Sequence, residues 1–183
     1  MKDFLSGTRK LFQHYKSMGE KAIDQLGDEH INWRPNEASN SVALIVHHLS
    51  GNMLSRFTDF LTSDGEKPWR DRDAEFETGY ASKAEMMQAW ENGWAKVFEA
   101  IDSAGEKDLE KVVYIRNEGH TVMDALQRQL AHYASHIGQI LYIAKIIRGK
   151  DWKSLSIPKG QSGTFNQAKF QQEKTVRHFT DKA

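Results

Sequence analysis

The sequence predicts an all-α fold: a four-helix bundle with a long crossover between its second and third helices and an irregular C-terminal tail. Three observations predict it. Four stretches carry apolar residues at helical spacing, and the three prolines (Pro35, Pro68 and Pro158) all fall between or beyond them. Between the second and third stretches lies a charged segment, DGEKPWRDRDAEFETGY, within a link of about twenty residues, a length suited to running along a bundle instead of turning tightly.

The first helix is expected over residues 3–26, with Phe4, Leu11, Tyr15, Met18, Ala22 and Leu26 on one face and Gly27 as its stop. The second is expected over 41–61, capped by Asn40 or Ser39, with Val42, Ile45, Val46, Leu49, Met53, Phe57 and Phe60 inward. The third begins after Ser82, where Ser82 and Glu85 form a capping box, and buries Met86, Ala89, Trp90, Val97 and Ile101. Before the fourth, Val112, Val113, Tyr114 and Ile115 form a β-prone run, read as a short strand or extended segment ending in a turn at 117–119. The fourth runs from near Thr121 to Arg148 and stops at Gly149, its stripe passing through Leu126, Leu130, Tyr133, Ile137, Ile140 and Ala144. The domain reading is therefore a bundle over 1–149 and an extension over 150–183. In the extension, Trp152, Leu155, Ile157 and Phe165 are too apolar for a free linker, while Pro158, Gly160 and Gly163 forbid a continuing helix. It is expected to lie across the bundle or a neighbouring subunit, with its last ten residues loosely held.

Composition narrows the function classes. The 183 residues carry 25 Lys+Arg against 25 Asp+Glu, so no global field attracts nucleic acid or an anionic membrane. With no cysteine, disulfides, thiolate zinc sites and a cysteine nucleophile are all excluded, and any metal must be held by His, Asp or Glu. The start MKDFLSGTRKLF lacks the long apolar run of a signal peptide, and the most apolar stretch, 42–46, is far too short to span a bilayer. The expectation is a cytoplasmic protein with a small-molecule substrate, and neither nucleic acid nor membrane as partner.

Eight histidines remain to be placed. His132 and His136 lie one turn apart on the flank of the fourth helix, so both rings project to one side and can offer nitrogens to one ion. Alone this spacing is equally that of surface or packing histidines, and no Glu follows His132 as in the His-Glu-x-x-His helix of a zinc protease. A third ligand is available in the second helix, where His47 and His48 sit on opposite edges of the apolar stripe. Spacing does not choose between them. Asn52, one turn after His48, is placed to support it. His14, His30, His120 and His178 have no such companions.

The segments His48-Leu49, His132-Tyr133-Ala134-Ser135-His136-Ile137-Gly138-Gln139 and Asn32-Trp33-Arg34-Pro35 resemble the DinB/YfiT-like superfamily of metal-binding bundles. The tail 152–158 (WKSLSIP) resembles a subgroup of that superfamily found in Bacillus-type bacteria, and the likeness extends to about Gln167. The resemblance implies up-down-down-up connectivity, frequently a homodimer, and a divalent ion, nickel or zinc, held by His48, His132 and His136, thereby favouring His48 over His47. Some members are transferases or isomerases that use low-molecular-weight thiols such as bacillithiol.

Three neutral imidazoles leave a divalent ion at least one open position, the pattern of a catalytic site. The leading expectation is a metal-dependent transferase that directs a low-molecular-weight thiol at small electrophiles. A hydrolase activating water with the same ion, and a non-catalytic metal-binding stress protein, are the alternatives. Arg128, Arg148 and Lys159 are candidate anion contacts. Trp33, Trp69, Trp90, Trp94 and Trp152 could shape a pocket, though the helical spacing of Trp90 and Trp94 suits core or interface better.

Overall fold

The structure, a computed structural model, describes residues 2–181. Among them the chain is mostly helical, with one two-stranded sheet. Helix α1 (Lys2–Ile23) ends earlier than its apolar pattern. The amides of Gln25 and Leu26 bond three residues back, to Ala22 and Ile23, which tightens and breaks the helix. Leu26 is still buried, and this is why the periodicity overshoots. Gly27 is not a left-handed stop. Its φ is −89° and its amide donates to His30 Nδ1 at 3.0 Å, opening the 3-10 turn Asp28–His30.

Helix α2 (Val42–Phe57) is capped by neither Asn40 nor Ser39 but by Ser41, whose Oγ accepts from the Leu44 amide at 3.2 Å. It stops at Thr58, which is extended, and Asp59 follows with φ 51°. Phe60 then folds back into the core, so apolar spacing again outlasts the helix. Helix α3 (Lys83–Ser103) starts as expected at Ser82, whose side chain accepts from Glu85 N at 3.1 Å. The Glu85 carboxylate reaches the amide of Ala81 instead of the cap residue. Trp90 and Trp94 are both fully buried.

The expected short strand forms, and the small sheet it belongs to is the one departure from an all-α chain among the described residues. The β-prone run is strand β1 (Val112–Ile115), paired antiparallel with β2 (Glu118–Thr121). The turn is Arg116-Asn117, with φ of 56° and 63°, and not 117–119. Two left-handed residues between a paired Ile115 and Glu118 give the twist that a tight hairpin needs. The strain is offset by Asp64, whose carboxylate accepts from the amides of Arg116 at 2.9 Å and Asn117 at 2.8 Å. These bonds, with one from Glu66 N, outweigh the effect of burial and hold the Asp64 carboxyl below its ordinary pKa.

Helix α4 (Val122–Arg148) begins at Thr121, which caps the Asp124 amide at 3.0 Å, and ends at Gly149 with φ 52°. Helix α2 packs chiefly on α3, and α1 on α4. At the centre, Phe12, Trp94 and Tyr133 meet edge-on or tilted with ring centroids 5.7–6.2 Å apart. Gly19 permits the close approach of α1: a Cβ there would stand 2.7 Å from the Trp90 ring and 2.9 Å from Ile137 Cδ1.

Beyond Gly149, Trp152 and Leu155 pack against the core. A further helix, α5 (Ser162–Phe170), incorporates Gly163 and buries none of its residues. It has no apolar stripe, which is why the periodicity gave no sign of it. The described chain ends beside α1, where Asp181 accepts from Lys10 Nζ at 2.8 Å and Phe179 packs on His14. No described helix is long and apolar enough to cross a membrane.

Candidate metal centre

His48 projects from α2, and His132 and His136 project from successive turns of α4. Their Nε2 atoms converge: His132 Nε2 lies 3.2 Å from His48 Nε2 and 3.0 Å from His136 Nε2. Imidazoles bound to one ion at about 2.1 Å with angles between right and tetrahedral would place their nitrogens roughly 3.0–3.4 Å apart. The two distances fall in that range, and the three-histidine group could hold a metal ion. Among the described residues no fourth imidazole or carboxylate joins the group.

Two of the rings are held in the required tautomer. His48 Nδ1 donates to Glu75 Oε2 at 2.9 Å, and His136 Nδ1 donates to Gln139 Oε1 at 3.0 Å. In a neutral ring each bond puts the proton on Nδ1 and leaves Nε2 free to face an ion. Glu75 comes from a 3-10 turn (Ala74–Phe76) in the connector between α2 and α3. Arg70 holds it bidentately, Nε to Oε1 at 2.8 Å and Nη2 to Oε2 at 2.9 Å. Burial alone would raise the Glu75 pKa, but the bonds from His48 and Arg70 prevail and hold it below the ordinary value. Phe76 packs its ring on His48 with centroids 4.7 Å apart.

Asn52 does not support His48. It accepts instead from the buried Tyr133 hydroxyl at 3.0 Å, which ties α2 to α4 beside the site. His47 is turned away and hydrogen-bonds the Thr78 carbonyl at 3.0 Å. His14, His30, His120 and His178 lie elsewhere, bonded or packed against Phe179, Gly27, Arg128 and Thr180 respectively. The group opens onto a cleft of about 290 Å³, lined by His48 and His132 together with Asn52, Gln129 and several arginines. Of the candidate anion contacts only Arg128 lines it, and none of the five tryptophans does.

Two of the metal-free rings, His132 and His136, resist protonation. Burial, then the neighbouring His136 and His48 and the charges of Arg56 and Arg70, push His132 down to about 3. Burial also lowers His136, against a raising bond from Gln139. Unfolded histidines take up protons near pH ~6.5, while these two stay neutral in the fold. The unfolded state then binds more protons, so stability falls as pH drops. Metal-free protein is therefore expected to lose thermal stability progressively from about pH 6.5 towards 3, as checked by melting curves across that range. An unchanged melting temperature between pH 7 and 5 would contradict the lowered His132 and His136.

Sequence reasoning missed Glu75 and Arg70. Both sit in the charged connector, where nothing in the local pattern separates a buried carboxylate–guanidinium pair from solvated charges. The hint available was chemical: a metal-facing histidine usually needs an acceptor for its second nitrogen.

Fold and site together define a mostly helical protein with a half-buried group of three histidines able to accept a metal ion. The model of a family described as "Protein of unknown function (DUF1572)" matches residues 1–161, and the chain belongs to that family. No curated protein matches it.

Proposed function

We propose that the chain is a metal-dependent enzyme of the DinB/YfiT-like kind, an up-down-down-up bundle that transfers a low-molecular-weight thiol of the bacillithiol type to small electrophiles. The observation that supports this reading is the convergence of three Nε2 atoms at a cleft of small-molecule size, with no fourth imidazole or carboxylate joining them among the described residues. His48, His132 and His136 would hold a nickel or zinc ion, since imidazole ligands suit either metal. When bound, such an ion supplies Lewis acidity, lowering the pKa of a thiol or water at its open position.

The chain's own residues do the rest. Glu75 and Arg70 fix the His48 ring, Gln139 fixes His136, and the Asn52–Tyr133 bond keeps α2 and α4 in register. In the transfer, the thiol sulfur attacks an electrophilic carbon, and a C–S bond forms while the leaving group departs with its bonding pair. The thiol proton passes to solvent, so no strong general base is required. A homodimer belongs to the reading, with Tyr142 and Ile146 of α4 the exposed apolar side chains available for it.

The test incubates metal-loaded protein with bacillithiol and a chromogenic electrophile. Turnover that disappears on chelation and in His48→Ala is expected. A rate indifferent to both overturns the proposal, and turnover of esters or phosphates without any thiol would assign the ion to hydrolysis.

A further inference from the structure

The chain has zero formal net charge, yet five of its nine arginines line the single cleft beside the three histidines: Arg56, Arg70, Arg72, Arg116 and Arg128. None of the described lysines lines it. They arrive from four different places, α2, the connector, the hairpin turn and the surface of α4, so no single amphipathic face accounts for the grouping. Gathering like charges in a cleft is unfavourable unless something of opposite sign shares it. Burial and the nearby Arg70 and Arg116 charges indeed push Arg56 below its ordinary pKa, despite its bond to Glu66.

The protein's own carboxylates do not use up these donors. Glu75 engages Arg70. Glu66 is shared by Arg56 at 3.1 Å and Arg116 at 3.0 Å, with Arg70 at 3.7 Å. Among the described residues Arg72 has only Asp73, 3.9 Å away on a side chain 94% exposed, and the face of Phe76. Arg128 meets His120 Nε2, which brings no negative charge, at 2.9 Å. A guanidinium carries five N–H donors, so the planar forks of Arg72, Arg116 and Arg128 retain most of theirs. Independently, Gln129 is 4% exposed, lines the same cleft, and has a side-chain oxygen with no hydrogen-bond partner. A ligand bearing a hydroxyl beside its anionic group would satisfy it.

We infer that this cleft is a binding subsite for a doubly charged oxyanion, a phosphate monoester or a pair of carboxylates, on the molecule processed at the neighbouring histidines. As a statement about substrate it rests on the reading of the site as an enzyme centre; as a statement about anion binding it does not. The choice of arginine over lysine fits planar, bidentate recognition of phosphate or carboxylate. The volume, about 290 Å³, fits a small metabolite and excludes a folded partner.

The experiment titrates chelator-treated, full-length protein by calorimetry with inorganic phosphate and separately with succinate. Sodium chloride at matched ionic strength serves as the screening control. Saturable binding of at least one dianion is expected, weakened about tenfold or more by Arg72→Gln and by Arg128→Gln, since each removes a charge-assisted bond. Both side chains are exposed, so these variants are expected to keep the wild-type circular dichroism. Arg116→Gln provides a third variant should either lose it. Binding of phosphate alone identifies a phosphate-bearing ligand, and of succinate alone a dicarboxylate. No saturable binding, or binding that every arginine variant leaves intact, overturns the inference. Anion binding without thiol transfer would leave the subsite standing and remove the transferase; thiol transfer without anion binding would do the reverse.

Discussion

His132→Ala is expected to abolish retention of a divalent transition metal, taking the protein from about one ion per chain to none after dialysis. The His132 nitrogen stands between the other two, 3.2 Å from that of His48 and 3.0 Å from that of His136, so its removal leaves two donors on different helices. Losing a supporting hydrogen bond to a ligand lowers affinity by about 10–100-fold, and losing the ligand itself exceeds that. Elemental analysis and a zinc or nickel titration read the effect. His47→Ala is the control, because that ring is spent on the Thr78 carbonyl; it should keep full stoichiometry. Equal retention in wild type and His132→Ala would show that the cluster is an ordinary packing arrangement.

The largest effect on stability is expected at Glu75. Its carboxylate and the Arg70 side chain are only 5% and 2% exposed, and Glu75→Ala would leave the guanidinium buried with its nearest remaining carboxylate, Glu66, 3.7 Å away. Breaking a buried pair from one side costs about 3–5 kcal/mol, which denaturant unfolding would detect readily. The same change frees the His48 ring, so metal affinity should fall by about 10–100-fold. Glu75→Gln keeps an acceptor for His48 Nδ1 and should preserve more of the affinity than of the stability. If both variants lowered affinity equally, charge at Glu75, and not ring orientation, would be what the site depends on.

Both predictions turn on residues whose visibility in the sequence differed sharply. The histidines of α4 were legible because helical spacing fixes direction: four residues apart means one face, whatever the rest of the chain does. His47 and His48 were not separable by spacing, since each flanks the apolar stripe; the family likeness favoured His48, and the fold shows His48 turned inward and His47 outward. The caps of α3 and α4 were legible because Ser82 and Thr121 act on amides three residues away. The ends of α1 and α2 were not, because Leu26 and Phe60 remain buried after the helix has stopped. The hairpin was half legible: its first strand is rich in β-branched residues, but its turn uses Arg116 and Asn117 without glycine, in a conformation supported from fifty-two residues away by Asp64. Of the arginine cleft only Arg128 was singled out as an anion contact, and the gathering itself was invisible for a related reason. Arg56, Arg70, Arg72, Arg116 and Arg128 are scattered singly along the chain, and only tertiary packing brings them together.

The carboxylate that steadies His48 belongs to a segment twenty-seven residues further along, outside the long helices. Reciprocity follows. Whatever factor a docked connector contributes to ion affinity, a bound ion contributes equally to keeping the connector docked. On the proposed reading, the chain without an ion would open that segment more often, and backbone opening of this kind is what proteases require. The lifetime of the protein would thereby register how well it is supplied with metal.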